Sequence, residues 1–305
     1  MKLAPVIILV LLSLAIISCD SSTSKNQSSD KKITGSANDG LVWEGDYTII
    51  EPEDIDAISG YESITGNLRI GYDFSDNDAL TNIYGLENLE HIEGNLSIRL
   101  NSSLESLQGL NGLISIRGYL EIDSNPKLTS LNGINQLSSI GKDLFIIDND
   151  TLPNLDGLDN LSSIGKGLSI GDNKILADIT ALKNIDVINK ALGIVGNESL
   201  LSLEGLNNIS SIAGGLFIYH NWGLLTLDGL DSLISVGEEL KIYANWELEN
   251  IDSLANLTSV GADFIMTDNT SLCTEKINEI INRLLDDQGI GGEIMIEKNK
   301  ICDEI

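Results

Sequence analysis

Ile116-x-Gly118-x-Leu120-x-Ile122-x-x-Asn125-x-x-Leu128-x-x-Leu131-x-Gly133-Ile134-x-x-Leu137-x-x-Ile140 begins and ends on the same residue type, 24 positions apart. The first aliphatic returns at Ile92, Ile116, Ile140, Ile164, Ile188, Ile212, Val236 and Val260. The asparagine returns at Asn101, Asn125, Asn149, Asn173, Asn197, Asn221, Asn245 and Asn269, again in steps of 24. A period held this strictly is what a solenoid requires, because each coil must stack a residue type on its like in the next coil. The alternation Leu120-x-Ile122 reads as a short strand with both aliphatics inward. The asparagine ends that strand. Its amide both donates and accepts, so a stacked column of amides can satisfy the backbone at a turn. Gly109, Gly133, Gly157, Gly205 and Gly229 mark a second recurrent corner, expected at positive φ or in close backbone contact. Ala181 and Ser253 interrupt that column, so positive φ is not obligatory in every coil.

The pattern runs past both ends with insertions. Upstream, Ile64-x-Gly66-x-Leu68-x-Ile70 precedes Ile92 by 28 residues, which predicts a four-residue bulge around Tyr72 to Asp76. Trp43-x-Gly45-x-Tyr47-x-Ile49 reads as a first, imperfect coil, and Pro52 to Gly60 as a short helix. Downstream, Ile290-x-Gly292-x-Ile294-x-Ile296-x-x-Asn299 restores the signature after 30 residues, adding Asn299 to the asparagine column. The inserted stretch, about 274–288, carries Ile277, Ile280, Ile281, Leu284 and Leu285 at helical spacing. Thr274 can cap its start and Gly289 can end it. Both helices read as end caps for an eleven-rung β-solenoid over residues 41–305.

The repeat unit resembles those of receptor L domains, the ligand-binding modules of insulin- and growth-factor-type receptors, and still more those of bacterial lipoproteins carrying such repeats. The resemblance covers about 41–305. It implies a right-handed, leucine-rich-repeat-like coil. The sequence departs from the receptors in showing no cysteine-rich module, transmembrane helix or kinase, so the resemblance implies a binding face at most, not signalling. Ordinary leucine-rich repeats place the next leucine two residues after the asparagine. Here it is three, as in Asn125 to Leu128, which favours the L-domain class.

Residues 1–18 read as a lipoprotein signal peptide. Lys2 precedes an apolar run from Leu3 to Ile17, too short to span a bilayer and suited to a secretory leader. Ile16-Ile17-Ser18-Cys19 resembles a lipobox, which implies cleavage after Ser18 and a diacylglycerol on Cys19. Residues 19–40, rich in Ser, Asp, Asn and Lys, read as a disordered tether. The expected location is therefore the bacterial cell envelope, lipid-anchored, with the outer membrane or cell surface favoured. Cys273 and Cys302 then form an even pair in an oxidising compartment, which predicts a disulfide, with buried free thiols as the alternative.

Composition removes several function classes. Acids outnumber Lys plus Arg by 46 to 18, for a net charge of −28, which argues against nucleic acid and against loose adhesion to anionic lipid. Two histidines and three cysteines leave little for a zinc or Cys/His catalytic centre, and no cofactor or metal site is expected. Asp123, Asp148, Asp150, Asp172 and Asp268 sit on turns, but they do not recur at one register in every coil and read as solvating charge. Gly167-Leu168-Ser169-Ile170-Gly171 matches a nucleophile-elbow string, yet Ser169 falls at an ordinary outward rung position. No catalytic residue is assigned. His91 reads as a surface residue.

One stretch departs from the bland exterior. Phe217, Tyr219, His220 and Trp222 lie one period before Lys241, Tyr243, Ala244 and Trp246. Phe217, Tyr219 and Tyr243 are expected to face outward, with Trp222 and Trp246 just past the asparagine. Stacked aromatics can simply stabilise neighbouring rungs. They can also form a platform for an extracellular protein or carbohydrate ligand. The chain reads as a non-enzymatic binding or adhesion module, with a structural envelope protein lacking a specific ligand as the alternative.

Overall fold

The computed structural model describes residues 40–286 and 288–302. The signal peptide (1–18), the lipidation site Cys19 and the tether up to residue 39 lie outside the described residues. Every coil contributes one strand to an eleven-stranded parallel sheet, running in chain order from Tyr47–Ile49 to Ile294–Met295. The 24-residue period appears directly as register: Leu120 pairs with Leu144, Leu144 with Leu168, and Ile122 with Ile146. Two-residue strands on another side of the coil form further parallel ladders, from Val42–Trp43 to Ser163–Ile164 and from Val187–Ile188 to Ser259–Val260. The fold is a parallel β-solenoid with short helices at its ends.

The core is aliphatic and continuous. Ile116, Leu120, Ile122, Leu128, Leu131, Ile134 and Leu137 are all fully buried, and the same positions are buried coil after coil. Truncating any one to alanine would cost about 2–5 kcal/mol, because a stacked coil has little room to collapse into the cavity.

The asparagine column is a hydrogen-bonded ladder. Asn125 is typical. Its backbone N–H donates to Asn149 Oδ1 at 3.3 Å, and its Nδ2 donates to Asn149 Oδ1 at 3.2 Å and to the Ile98 carbonyl of the preceding coil at 3.0 Å. Asn101, Asn149, Asn173, Asn197, Asn221 and Asn245 repeat this, and Asn269 donates to Asn299 Oδ1 at 3.1 Å. The ladder also includes Asn77, which donates to Ile50 O and Asn101 Oδ1. The four-residue insertion shifts it out of line with Ile64, although it lies 24 before Asn101.

From Asn101 onward the residue before each ladder asparagine holds a left-handed backbone: Leu100, Ser124, Asp148, Asp172, Gly196, His220, Ala244, Asp268 and Lys298 have φ between 54° and 71°. At the opposite corner Gly133 has φ 124°, and a Cβ there would sit 1.9 Å from Leu107 O. Where Ala181 and Ser253 replace glycine, the corner instead closes as a 3₁₀ turn, at Thr180–Leu182 and Asp252–Asn256. A Cβ-bearing residue thus reaches the same corner with right-handed dihedrals.

Helix α1, Pro52–Ile58, buries Ile55 and Ile58, and the Asp54 carboxylate accepts the N–H groups of Ile50 and Glu51. Helix α2, Thr274–Asp286, buries Ile277, Ile280, Ile281 and Leu284. Leu285, expected in that stripe, is exposed. The expectation for its start is corrected. Thr274 Oγ1 donates to the Lys300 carbonyl instead of accepting a helix N–H, because the final rung lies beside it. The left-handed residue at the far end is Gln288, at φ 54°, while Gly289 supplies the N–H that closes on Leu284 O at 2.7 Å. Arg283 Nη2 donates to the Leu254 carbonyl at 2.8 Å, fastening α2 to the last 3₁₀ corner. Cys273 and Cys302 are joined in a disulfide, with Cα atoms 5.6 Å apart.

Candidate ligand-binding surface

The aromatic surface is built by the register of two neighbouring strands, Leu216–Tyr219 and Leu240–Tyr243. Their inward residues Leu216, Ile218, Leu240 and Ile242 enter the core. The alternate residues lie on the outer face, where Phe217 pairs with Lys241 and Tyr219 with Tyr243. The chain then turns through left-handed His220 and Ala244, anchors Asn221 and Asn245 in the ladder, and projects Trp222 and Trp246. The two indoles stack with centroids 5.3 Å apart and 7° between planes. They are 40% and 49% exposed, so their outer surfaces meet solvent.

Tyr219 corrects the outward expectation. It stands in an outward register but is only 2% exposed, covered by Tyr243 at 4.5 Å, nearly parallel, and by the His220 ring at 5.6 Å. Its hydroxyl interacts with that of Tyr243 without a well-formed hydrogen bond, and burial, then Tyr243, push its pKa well above the ordinary tyrosine value. Alternation along a strand identifies the face, not what lies over it. Tyr243 is half-buried, and burial raises its pKa as well. Burial lowers the pKa of His220, which favours the neutral imidazole. Phe217 is half-buried, with Lys241 Nζ 5.7 Å from its ring centroid. Of the six candidates, the two tryptophans carry most of the accessible apolar surface. The others support them or pack beneath.

The same columns become acidic on one side. Before the ladder asparagines stand Asp148, Asp172, Gly196, His220 and Ala244. After them stand Asp150, Lys174, Glu198, Trp222 and Trp246. Asp172 is pushed up to about 6, mainly by burial and then by Asp148 and Asp150. Asp148 is raised by burial too. Lys174 pairs with Asp150 Oδ2, whereas Asp150 Oδ1 is buried without a partner. The left-handed column explains why three of the turn acids share a register: Asp148, Asp172 and Asp268 occupy it, and short Asp side chains tolerate that backbone better than branched ones.

Other sequence candidates separate from this surface. Ser169 is 2% exposed and its hydroxyl is unpartnered; its outward neighbours on the adjoining strands are Phe145 and Gly193, which offer neither a base nor an acid. His91 Nδ1 lies 2.8 Å from Ser115 Oγ on a short-strand ladder. Among the described residues, Cys273, Glu275 and Cys302 bring metal-type donor atoms within 4.8 Å of one another, but the two sulfurs are bonded to each other.

No curated protein matches the chain. The receptor L domain family model, which describes a non-enzymatic domain of ligand-binding type, matches residues 62–177, and the described coil is a receptor L-domain-like fold.

Proposed function

We propose that this protein is a lipid-anchored, non-enzymatic binding module of the bacterial cell envelope. In this reading Cys19 carries the lipid, the segment up to residue 40 is a tether, and the solenoid presents the surface around Trp222 and Trp246 to an extracellular protein or carbohydrate. The observation that carries the reading is the pair of parallel, half-exposed indoles stacked on neighbouring coils. Stacked, exposed tryptophans offer large contact area at low side-chain entropy cost, as binding hot spots do. The match of residues 62–177 to a family of binding type supports the non-enzymatic reading.

The test is a glycan-and-peptide array probed with the full chain and with Trp222→Ala/Trp246→Ala. Capture that disappears in the double variant, with an unchanged circular dichroism spectrum, is expected. Capture retained by the double variant contradicts the assignment of the surface. The anchor has its own test. Cys19→Ser is expected to release the protein from the detergent phase or leave it unprocessed, and unchanged partitioning and mobility contradict the lipidation.

A further inference from the structure

We infer that the surface around Trp222 and Trp246 captures a cationic peptide segment, an extended stretch of chain carrying lysine or arginine side chains between apolar ones. This rests on the reading of that surface as a binding site and adds the chemistry of its ligand.

The columns flanking the ladder place carboxylates beside indoles. Coils stack about 4.8 Å apart, so Asp150 and Trp246, four coils apart, are about 19 Å apart along the stack. That length matches about six residues of extended chain. Over it stand Asp148, Asp150, Asp172 and Glu198, against one lysine, Lys174, whose ammonium is already held by Asp150. The cluster is under-compensated in two independent ways. Asp150 Oδ1 is buried with no donor. The carboxyls of Asp148 and Asp172 are both raised by burial and by neighbouring acids. An incoming cation would relieve both.

The aromatic half suits the same guest. The face of an indole attracts a cation through its ring quadrupole. Neutral His220 adds no opposing charge. The protein already makes this arrangement on itself, where Lys241 Nζ stands 5.7 Å from the Phe217 ring and 3.2 Å from Glu239. Leu201 and Leu225, 24 apart and both exposed on the turns beside Trp222, suit the apolar side chains of a peptide. A neutral sugar would use the indoles but leave the carboxylates uncompensated, and an acidic glycan would be repelled. The net charge of −28 also favours encounter with a cationic partner.

The probe is the heptapeptide acetyl-Lys-Leu-Lys-Leu-Lys-Leu-Lys-amide, with a version carrying Gln for Lys and neutral hexasaccharides as comparisons. Binding to the full chain is read by calorimetry and tryptophan fluorescence at physiological salt. The lysine peptide is expected to bind and the glutamine peptide to bind at least tenfold more weakly. Asp172→Asn/Glu198→Gln should weaken the lysine peptide about fivefold, the scale of two exposed charge pairs. Trp222→Leu/Trp246→Leu should weaken it about tenfold or more. A control that removes two exposed acids at the far corner, Glu204→Gln/Asp228→Asn, should change it less than twofold. Equal weakening by the control and the Asp172/Glu198 variant would mean general charge attraction and overturn the inference. A hexasaccharide bound through the tryptophans, with no lysine-peptide binding, would overturn the peptide assignment and leave the binding surface standing. Peptide binding unaffected by the tryptophan variant would overturn both.

Discussion

Two parts of the long sheet's outer face carry bulky or charged residues on the same backbone and satisfy them differently. On strands Leu96–Arg99 and Leu120–Asp123 the outward side chains answer one another. Ser97 Oγ donates to Glu121 Oε2 at 2.7 Å, and Arg99 lies 2.9 Å from Asp123 Oδ2 and 3.6 Å from Glu121 Oε1. Glu121 is only 9% exposed, and its pKa is raised chiefly by burial, with Arg99 and Ser97 opposing that shift. On strands Leu216–Tyr219 and Leu240–Tyr243 the aromatics stack, yet the series ends at half-exposed tryptophans and a buried Tyr219 hydroxyl without a well-formed hydrogen bond. A surface whose groups are mutually satisfied contributes to stability. One left with uncovered apolar faces and unmatched polar groups is suited to a partner. The comparison therefore separates variants that should act on folding from variants that should act on binding.

Beneath both regions the ladder is the same, so its disruption should ignore the difference. Asn125→Ala and Asn245→Ala each leave the preceding asparagine's N–H without its acceptor, take one of the acceptors of its Nδ2, and leave a carbonyl, Ile98 O or Ile218 O, without its amide donor. Each is expected to lose about 3–5 kcal/mol in urea unfolding, from several orphaned buried groups at about 1–3 kcal/mol apiece. Losses differing by more than about 2 kcal/mol between the two would show that the outer face governs the ladder.

Arg99→Ala sharpens the contrast. It leaves nearly buried Glu121 without its cation and should cost about 2 kcal/mol, less than a fully buried pair because Arg99 is partly solvated. It should leave ligand capture unchanged. The loss should shrink at acid pH, where Glu121 takes up a proton. A variant as stable as the parent at neutral pH would mean that the ionic network is ornamental.

Asp172 gives a pH dependence on the acidic margin of the aromatic region. Its folded pKa of about 6 lies above the ordinary aspartate value of about 4. Between those values the folded state holds more protons than the unfolded one, so stability is full below about pH 4 and is lost as pH rises through 6. Burial raises its pKa most; Asp148, Asp150 and Glu198 raise it further, and Lys174 lowers it. Asp172→Asn is expected to raise the melting temperature at pH 7 and to flatten its slope between pH 4 and 6. A lower melting temperature at pH 7 would show that the charge is compensated.

The smallest effect is expected for Tyr219→Phe. Removing a buried hydroxyl that makes no well-formed hydrogen bond, while keeping the ring stack, should be neutral or stabilise by up to about 1 kcal/mol. A loss above about 1 kcal/mol would show that its contact with the Tyr243 hydroxyl is a full hydrogen bond.

Much of this was legible in the residues because a solenoid repeats its packing. Ile116, Leu120, Ile122 and Asn125 announce their roles by returning every 24 positions. What escaped had no side-chain signature. The left-handed position before each asparagine is filled by Leu100, Ser124, Asp148, His220 and Lys298 alike, since the coil geometry imposes that backbone whatever the residue. Asn77 was hidden by an insertion, although counting back 24 from Asn101 reaches it. The burial of Tyr219 depends on how the Tyr243 ring lies over it, which alternation cannot specify. Of the candidate site, Trp222 and Trp246 followed from register alone, whereas the acidic margin formed by Asp172 and Glu198 required the two flanking columns to be seen together.

The central claim is that a partner is held on the coils of Trp222 and Trp246. Hydrogen exchange of the full chain, with and without the strongest ligand from the array, tests it most directly. New protection confined to residues 217–225 and 241–249, extending at most to the turns around Asp172 and Glu198, is expected. Protection centred on residues 96–123, or spread evenly over all coils, would contradict it.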